Sequence, residues 1–278
     1  MSDYNDNHLR LSRRAALASG AASLLLLGNI KAPSVAAPKA GETGRVVRVI
    51  DGDSFVLAQE EGSELSVRLA AVQAPRTAQR TETAWPYAQE SKAGLSALIQ
   101  GRRVQLYYGG ETRDRYGRAV AQVYTLDASS NSDLWVQGEM LRLGLVRVVS
   151  WRGELADMPA LYALEVQARD RMRGIWANEF YAVRRPDPDP LAQFVDSLQI
   201  VEGIVTSTAD VRGRIYLNFG ADYKTDFTIA IAKKNVKRFA ALDPVGLTGA
   251  RVRVRGWIEM INGPMIWLDH PGRLEVLS

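Results

Sequence analysis

Short alternating strands, cut by tight turns and interrupted by a single helical stretch after the third, most constrain what this chain can fold into. Val46-Val47-Arg48-Val49-Ile50 alternates, turns at Asp51-Gly52-Asp53 and resumes as Ser54-Phe55-Val56-Leu57. A second turn at Glu60-Glu61-Gly62-Ser63 leads into a strand from Leu65 to Val72. Such runs pair as a meander. After a polar loop from Arg76 to Thr83, Ala88, Leu95, Leu98 and Ile99 keep near-helical spacing up to a stop at Gly101. Strands at Arg103–Tyr108 and Ala119–Tyr124 then bracket a charged hairpin at 113–118. Five strands with a helix after the third is the order of an OB-type barrel, so the fold class is mainly β with α. Further helices are predicted near 134–143 and 159–173, the second from Leu161, Leu164 and Ala168.

The same order then repeats. Arg184-Arg185-Pro186-Asp187-Pro188-Asp189-Pro190 reads as a linker that no helix or strand interior tolerates. Beyond it, strands are predicted at 200–205, 213–219, 227–231, 251–258 and 265–268, with a helix at 235–241 before the last two. That is a second small OB-like β-barrel. The expected organisation is a leader at 1–36, a linker at 37–43, a first barrel at 44–180, a Pro-rich linker at 181–197 and a second barrel at 198–278.

Composition narrows the chemistry. The 278 residues include no cysteine and two histidines, His8 and His270, which excludes disulfides, thiolate sites and a histidine-rich metal centre. Hydrolysis would have to run on carboxylates, arginines, hydroxyls or an oxygen-held cation. The formal charge of +4 falls to +2 once the leader is removed, so polyanion binding would have to come from local clusters. The leader itself has Ser12-Arg13-Arg14-Ala15-Ala16-Leu17, an apolar stretch to Ile30 and small residues at Ser34-Val35-Ala36-Ala37. This resembles a bacterial twin-arginine signal and predicts a mature protein beginning near Ala37, a periplasmic or secreted product and no membrane span in the mature protein.

Six pieces occur in one order within 44–180: Val49-Ile50-Asp51-Gly52-Asp53-Ser54, Val67-Arg68-Leu69, Ala74-Pro75, Asp114-Arg115-Tyr116-Gly117-Arg118, Leu143-Gly144-Leu145-Val146 and Gly174-Ile175-Trp176. Together they resemble the thermonuclease, or staphylococcal-nuclease-like, family, whose fold is an OB barrel with added helices. The resemblance implies calcium-dependent cleavage of DNA or RNA by a water attacking phosphorus. It puts Arg68 and Arg118 at two phosphate-clamping positions, Asp53 at a metal-ligand position with Asp51 nearby, and Tyr116 against the nucleotide. Fixed guanidinium groups suit a reaction that builds charge on phosphate oxygens.

The pattern then departs from that family. Where active members carry an acidic ligand, a carbonyl-lending residue, Pro and a Glu assigned as general base, this chain reads Gln73, Ala74, Pro75 and Arg76. Gln73 keeps an oxygen and loses a charge, and Arg76 has no lone pair with which to accept a proton. A positioned base is worth roughly 10²- to 10⁴-fold in rate. The calcium site is therefore expected to be weak or lost. Glu82 and Glu90 are the nearby carboxylates that a relocated base would use.

In the second barrel, Arg251, Arg253 and Arg255 alternate with valines and share a face with Trp257 nearby, as a groove for single-stranded nucleic acid would require. The same alternation describes the wet face of a half-buried strand, and both readings stand. The sequence predicts an exported protein that binds DNA, RNA or another anionic polymer with weak or absent hydrolysis. The alternatives are an active calcium-dependent endonuclease with a relocated base, and a non-catalytic module contacting envelope protein or polysaccharide. The oligomeric state is left open.

Overall fold

The computed structural model describes residues 38–78, 83–151 and 157–277. The leader, His8 and Glu82 lie outside them. The first barrel is built from β1 (Lys39–Asp51), β2 (Ser54–Gln59), β3 (Glu64–Leu69), β4 (Val72–Gln73), α1 (Ala88–Ile99), β5 (Arg103–Tyr108), β6 (Ala119–Leu126), β7 (Ser132–Trp135), α2 (Val136–Arg142), β8 (Arg147–Val148) and α3 (Met158–Asp170). The sheet runs β3-β2-β1-β5-β6-β7 and closes where β3 lies parallel to β6, pairing Arg68 with Val120. The ring surrounds Phe55, Leu57, Val67, Leu69, Leu106 and Val123, and α1 packs Leu95 and Ile99 into the same core.

Two local departures from the sequence reading matter. The stretch 37–43, expected as a linker, is strand from Lys39 on. Lys39, Ala40 and Thr43 pair with Tyr108, Tyr107 and Gln105. Polar contacts hold it: Thr43 Oγ1 donates to Gln105 Oε1 at 2.7 Å, and Glu42 takes Arg113 at 2.7 Å. The strand expected from Leu65 to Val72 instead breaks at Ala71, whose φ of 60° turns the chain so that β4 leaves the barrel and pairs with β8.

A second sheet-rich region follows: α4 (Pro188–Ala192), β9 (Leu198–Ile204), β10 (Ser207–Val211), β11 (Arg214–Asn218), β12 (Thr228–Ile231), β13 (Arg251–Trp257), β14 (Glu259–Ile261), β15 (Gly263–Leu268) and β16 (Leu274–Leu277). Its pairings repeat those of the first barrel. A meander precedes a 3₁₀ helix at Val236–Leu242, β13 returns antiparallel to β9, and β15 lies parallel to β12. The two sheets, β10-β11-β12-β15-β14 and β16-β13-β9, enclose Leu217, Phe227, Ile229, Phe239, Val252 and Ile266.

The segment 181–197 is not a free connector. Tyr181 is buried beside Ile200, Arg184 N–H donates to Ile200 O at 2.8 Å, and α4 forms where prolines had argued against a helix. Prolines at the first helical positions cost no hydrogen bond, since those amides have no partner in the helix. The described residues of both barrels belong to one compact unit. None of their helices is long and apolar enough to cross a membrane.

Candidate phosphate site on the first barrel

The β1–β2 turn sets the acidic pair. Asp51 Oδ1 accepts the Asp53 N–H at 3.1 Å and the Ser54 hydroxyl at 2.6 Å, so its carboxylate staples the turn. Asp53 Oδ2 accepts the Ala74 N–H at 2.9 Å. Burial first, then the Asp51 charge, push the Asp53 carboxyl up to about 7, against the opposing pull of the Ala74 amide and the Arg68 charge. Gly52 fits between them because a Cβ there would stand 1.9 Å from Ser91 Oγ and 2.8 Å from Ala74 Cβ. The turn is thus docked on α1.

Arg68 on β3 pairs with Ser54 of β2 on one side and Val120 of β6 on the other, which brings its strand position beside both the acidic turn and the 113–118 hairpin. That hairpin aims Arg118. Asp114 accepts Arg118 Nε at 2.8 Å through Oδ2, and the N–H groups of Tyr116 and Arg118 through Oδ1 at 2.9 and 3.0 Å. Gly117 supplies the positive φ, 77°, that closes the turn. Tyr116 is 68% exposed, with Arg115 and Arg118 guanidinium carbons 4.8 and 5.5 Å from its ring centre. Asp114 positions Arg118, a role the sequence reading did not assign. Its place four residues ahead of Arg118, in a turn ending in Gly, was the available signal.

Gln73 meets a partner that the sequence reading missed. Pairing of β4 with β8 puts it opposite Arg147, whose Nε and Nη2 both donate to Gln73 Oε1, at 3.1 and 2.8 Å. Arg147 is only 4% exposed, between the rings of Trp85 and Tyr181 at 5.7 and 5.8 Å. Arg76 is exposed and rests over the same Trp85 ring at 5.1 Å. Glu90 is exposed on the first turn of α1.

These residues do not fit a calcium ion, which takes six to eight hard oxygens. Asp51 Oδ1 already serves two donors, Asp53 Oδ2 serves an amide, and Gln73 Oε1 is occupied by a guanidinium. Among the described residues no three acidic or histidine side chains gather as a metal-holding group. What the rim offers is cationic: Arg68, Arg118, Arg76 and Arg147, with an exposed tyrosine beside one of them.

The arginine face of the second barrel is a correction. Arg251, Arg253 and Arg255 do share one face of β13, but carboxylates cover it. Arg253 Nε and Nη2 donate to Glu202 at 2.8 and 2.6 Å, and Arg251 pairs with the same carboxylate at 2.6 Å. Arg255 is 2% exposed and bonded to Glu165 of α3 and Glu275 of β16, both at 2.9 Å. Trp257 is half-buried against Trp151, ring centres 5.5 Å apart. Arg253 and Arg255 are therefore buried structural cations and not a groove lining. His270 is buried with Nε2 3.1 Å from Ser150 O.

A five-stranded barrel closed by a parallel pair, carrying an Asp-Gly-Asp turn, a strand-borne Arg68 and a hairpin-borne Arg118, defines a nuclease-type OB domain. The comparisons agree. The family model described as staphylococcal nuclease homologue matches residues 66–178. An uncharacterized endonuclease of Escherichia coli is 32% identical over 136 residues, spanning 49% of this chain and 77% of that protein. The thermonuclease of Staphylococcus hyicus is 27% identical over 137 residues, 49% of this chain and 77% of its own length. A probable endonuclease lcl3 of Botryotinia fuckeliana is 32% identical, covering 49% of this chain and 60% of its own. Through its first barrel the chain belongs to the staphylococcal nuclease homologue family.

Proposed function

We propose that this protein binds a phosphodiester backbone, DNA or RNA, through Arg68, Arg118 and Tyr116 of the first barrel, and hydrolyses it weakly or not at all. The observation that carries this reading is the double hydrogen bond from Arg147 to Gln73. It places a fixed cation against the oxygen that a divalent metal would need, while Arg76 stands where a proton acceptor would be required. The two clamping arginines need no metal to meet a phosphate. Export by the Ser12-to-Ala37 leader, which would carry the protein to the periplasm, belongs to the same proposal.

Cleavage of DNA and RNA by the purified protein, with calcium added or chelated, tests it. The expected result is background turnover in both. Gln73→Asp with Arg76→Glu should not restore cleavage while Arg147 remains, because the new carboxylate would pair with that guanidinium. Adding Arg147→Gln should release it. Robust calcium-dependent cleavage by the unaltered protein, lost in Glu90→Gln or Glu82→Gln, would overturn the reading in favour of a relocated base.

A further inference from the structure

Arg147 is the buried arginine of the first barrel among the described residues. Its hydrogen bonds go to the neutral amide oxygen of Gln73, and no carboxylate of the described residues forms an ion pair with it. Arg255 makes the contrast, since an equally buried guanidinium there meets two carboxylates, Glu165 and Glu275. Burying a cation without a partner charge is costly, and a protein that does so needs another source of negative charge. A second cation meets the same ring: Arg76 lies over Trp85, and the Trp85 N–H donates to Arg76 O at 2.9 Å. Burial pulls the Arg147 guanidinium down to about 10, with smaller repulsion from Arg255 and Arg76 and against the attraction of Tyr181 and Glu165. Both hydrogen bonds of the Arg147 guanidinium use Nε and Nη2, and none of the described residues takes one from Nη1.

We infer that Arg147 and Arg76, mounted on Trp85, form a subsite that takes a phosphate oxyanion directly, at the place where the family's chemistry would put a cation between protein and phosphate. The inference rests on the phosphodiester-binding reading and extends it by a third contact, reached without metal. A phosphate oxyanion suits the pair because a forked donor meets its oxygens, and the anion neutralises two like charges held at one ring. The half-buried Trp85 ring, 5.4 Å from the exposed Phe180, adds an apolar wall at the edge of the subsite.

The test uses the full chain in EDTA, titrated in one arm with inorganic phosphate and in the other with a fluorescent single-stranded DNA oligonucleotide. Phosphate should raise the unfolding temperature of the unaltered protein by mass action. That shift should vanish in Arg76→Gln and in Arg147→Gln. Oligonucleotide affinity in EDTA should fall about tenfold in either variant, the scale of one lost charge-assisted contact, with the log-log salt slope shallower by about 0.7. A response in the phosphate arm alone assigns the subsite to the free anion, and a response in the oligonucleotide arm alone assigns it to the polymer backbone. Arg76 is exposed, so Arg76→Gln remains informative should Arg147→Gln fail to fold. Unchanged behaviour of Arg76→Gln in both arms, with affinity still lost in Arg68→Gln and Arg118→Gln, would overturn this inference and leave the clamp intact. No loss in any of the four would remove the clamp as well.

Discussion

Asp53 shows how much of the rim is decided by single side chains. Its carboxyl is held at about 7 instead of 3.8, so folding favours the protonated form. The cost of charging it is absent below about pH 4, grows as pH rises and is complete above about 7. Asp53→Asn should therefore raise the unfolding temperature relative to the unaltered protein increasingly between pH 4 and 7, then by a constant several degrees. A difference independent of pH would contradict this. Asp114 acts one step back from the phosphate. Asp114→Ala frees Arg118 and removes two turn acceptors, so oligonucleotide affinity should fall several-fold in an anisotropy titration, while Asp114→Asn keeps the amide bonds and loses less. The identities of Asp53, Arg68 and Arg118 were legible because each sits in a short local pattern. Arg147 was not, because its partner Gln73 is 74 residues away and only the β4–β8 pairing brings them together.

At the scale of elements, the strands were readable wherever one face was apolar, as in β2, β5 and β13, since burial imposes the alternation that the eye follows. The start of β1 escaped because Lys39-Ala40-Gly41-Glu42 buries no apolar face and is held by polar contacts to β5 and Arg113. On α3 the expected Leu161 and Ala168 are buried, and what escaped is Glu165. The helix's buried positions are Met158, Leu161, Glu165 and Ala168, and a glutamate on the inner face gives no hydrophobic signal. The shared face of Arg251, Arg253 and Arg255 was legible, but its cover was not, because Glu165 lies 90 residues from Arg255. The turn between β1 and β2 yields its own prediction. With Ser91 Oγ 1.9 Å and Ala74 Cβ 2.8 Å from an added Cβ, Gly52→Ala should cost about 1–3 kcal/mol of stability by chemical denaturation. It should also weaken oligonucleotide binding, because the displaced turn carries Asp53 with it.

For the whole molecule, the two barrels are joined by charge as much as by apolar packing. Glu165 is fully buried, accepts the Val148 N–H at 2.7 Å within its own barrel and pairs with Arg255 of the other. Around it, Ser150 Oγ and Arg273 Nε bond across the same junction at 3.2 and 3.0 Å. Unfolding should thus be a single cooperative transition. Glu165→Ala strands a buried guanidinium and should cost about 3–5 kcal/mol, or split the melt into two steps, as read by calorimetry. The central claim is that this family barrel meets phosphate with arginine and not through calcium. Anisotropy of a labelled single-stranded oligonucleotide in EDTA and in calcium, with the same samples run on a sequencing gel, tests it most directly. Equal affinity in both and an uncut strand are the predicted result, whereas affinity that appears only with calcium, accompanied by cleavage, would contradict it.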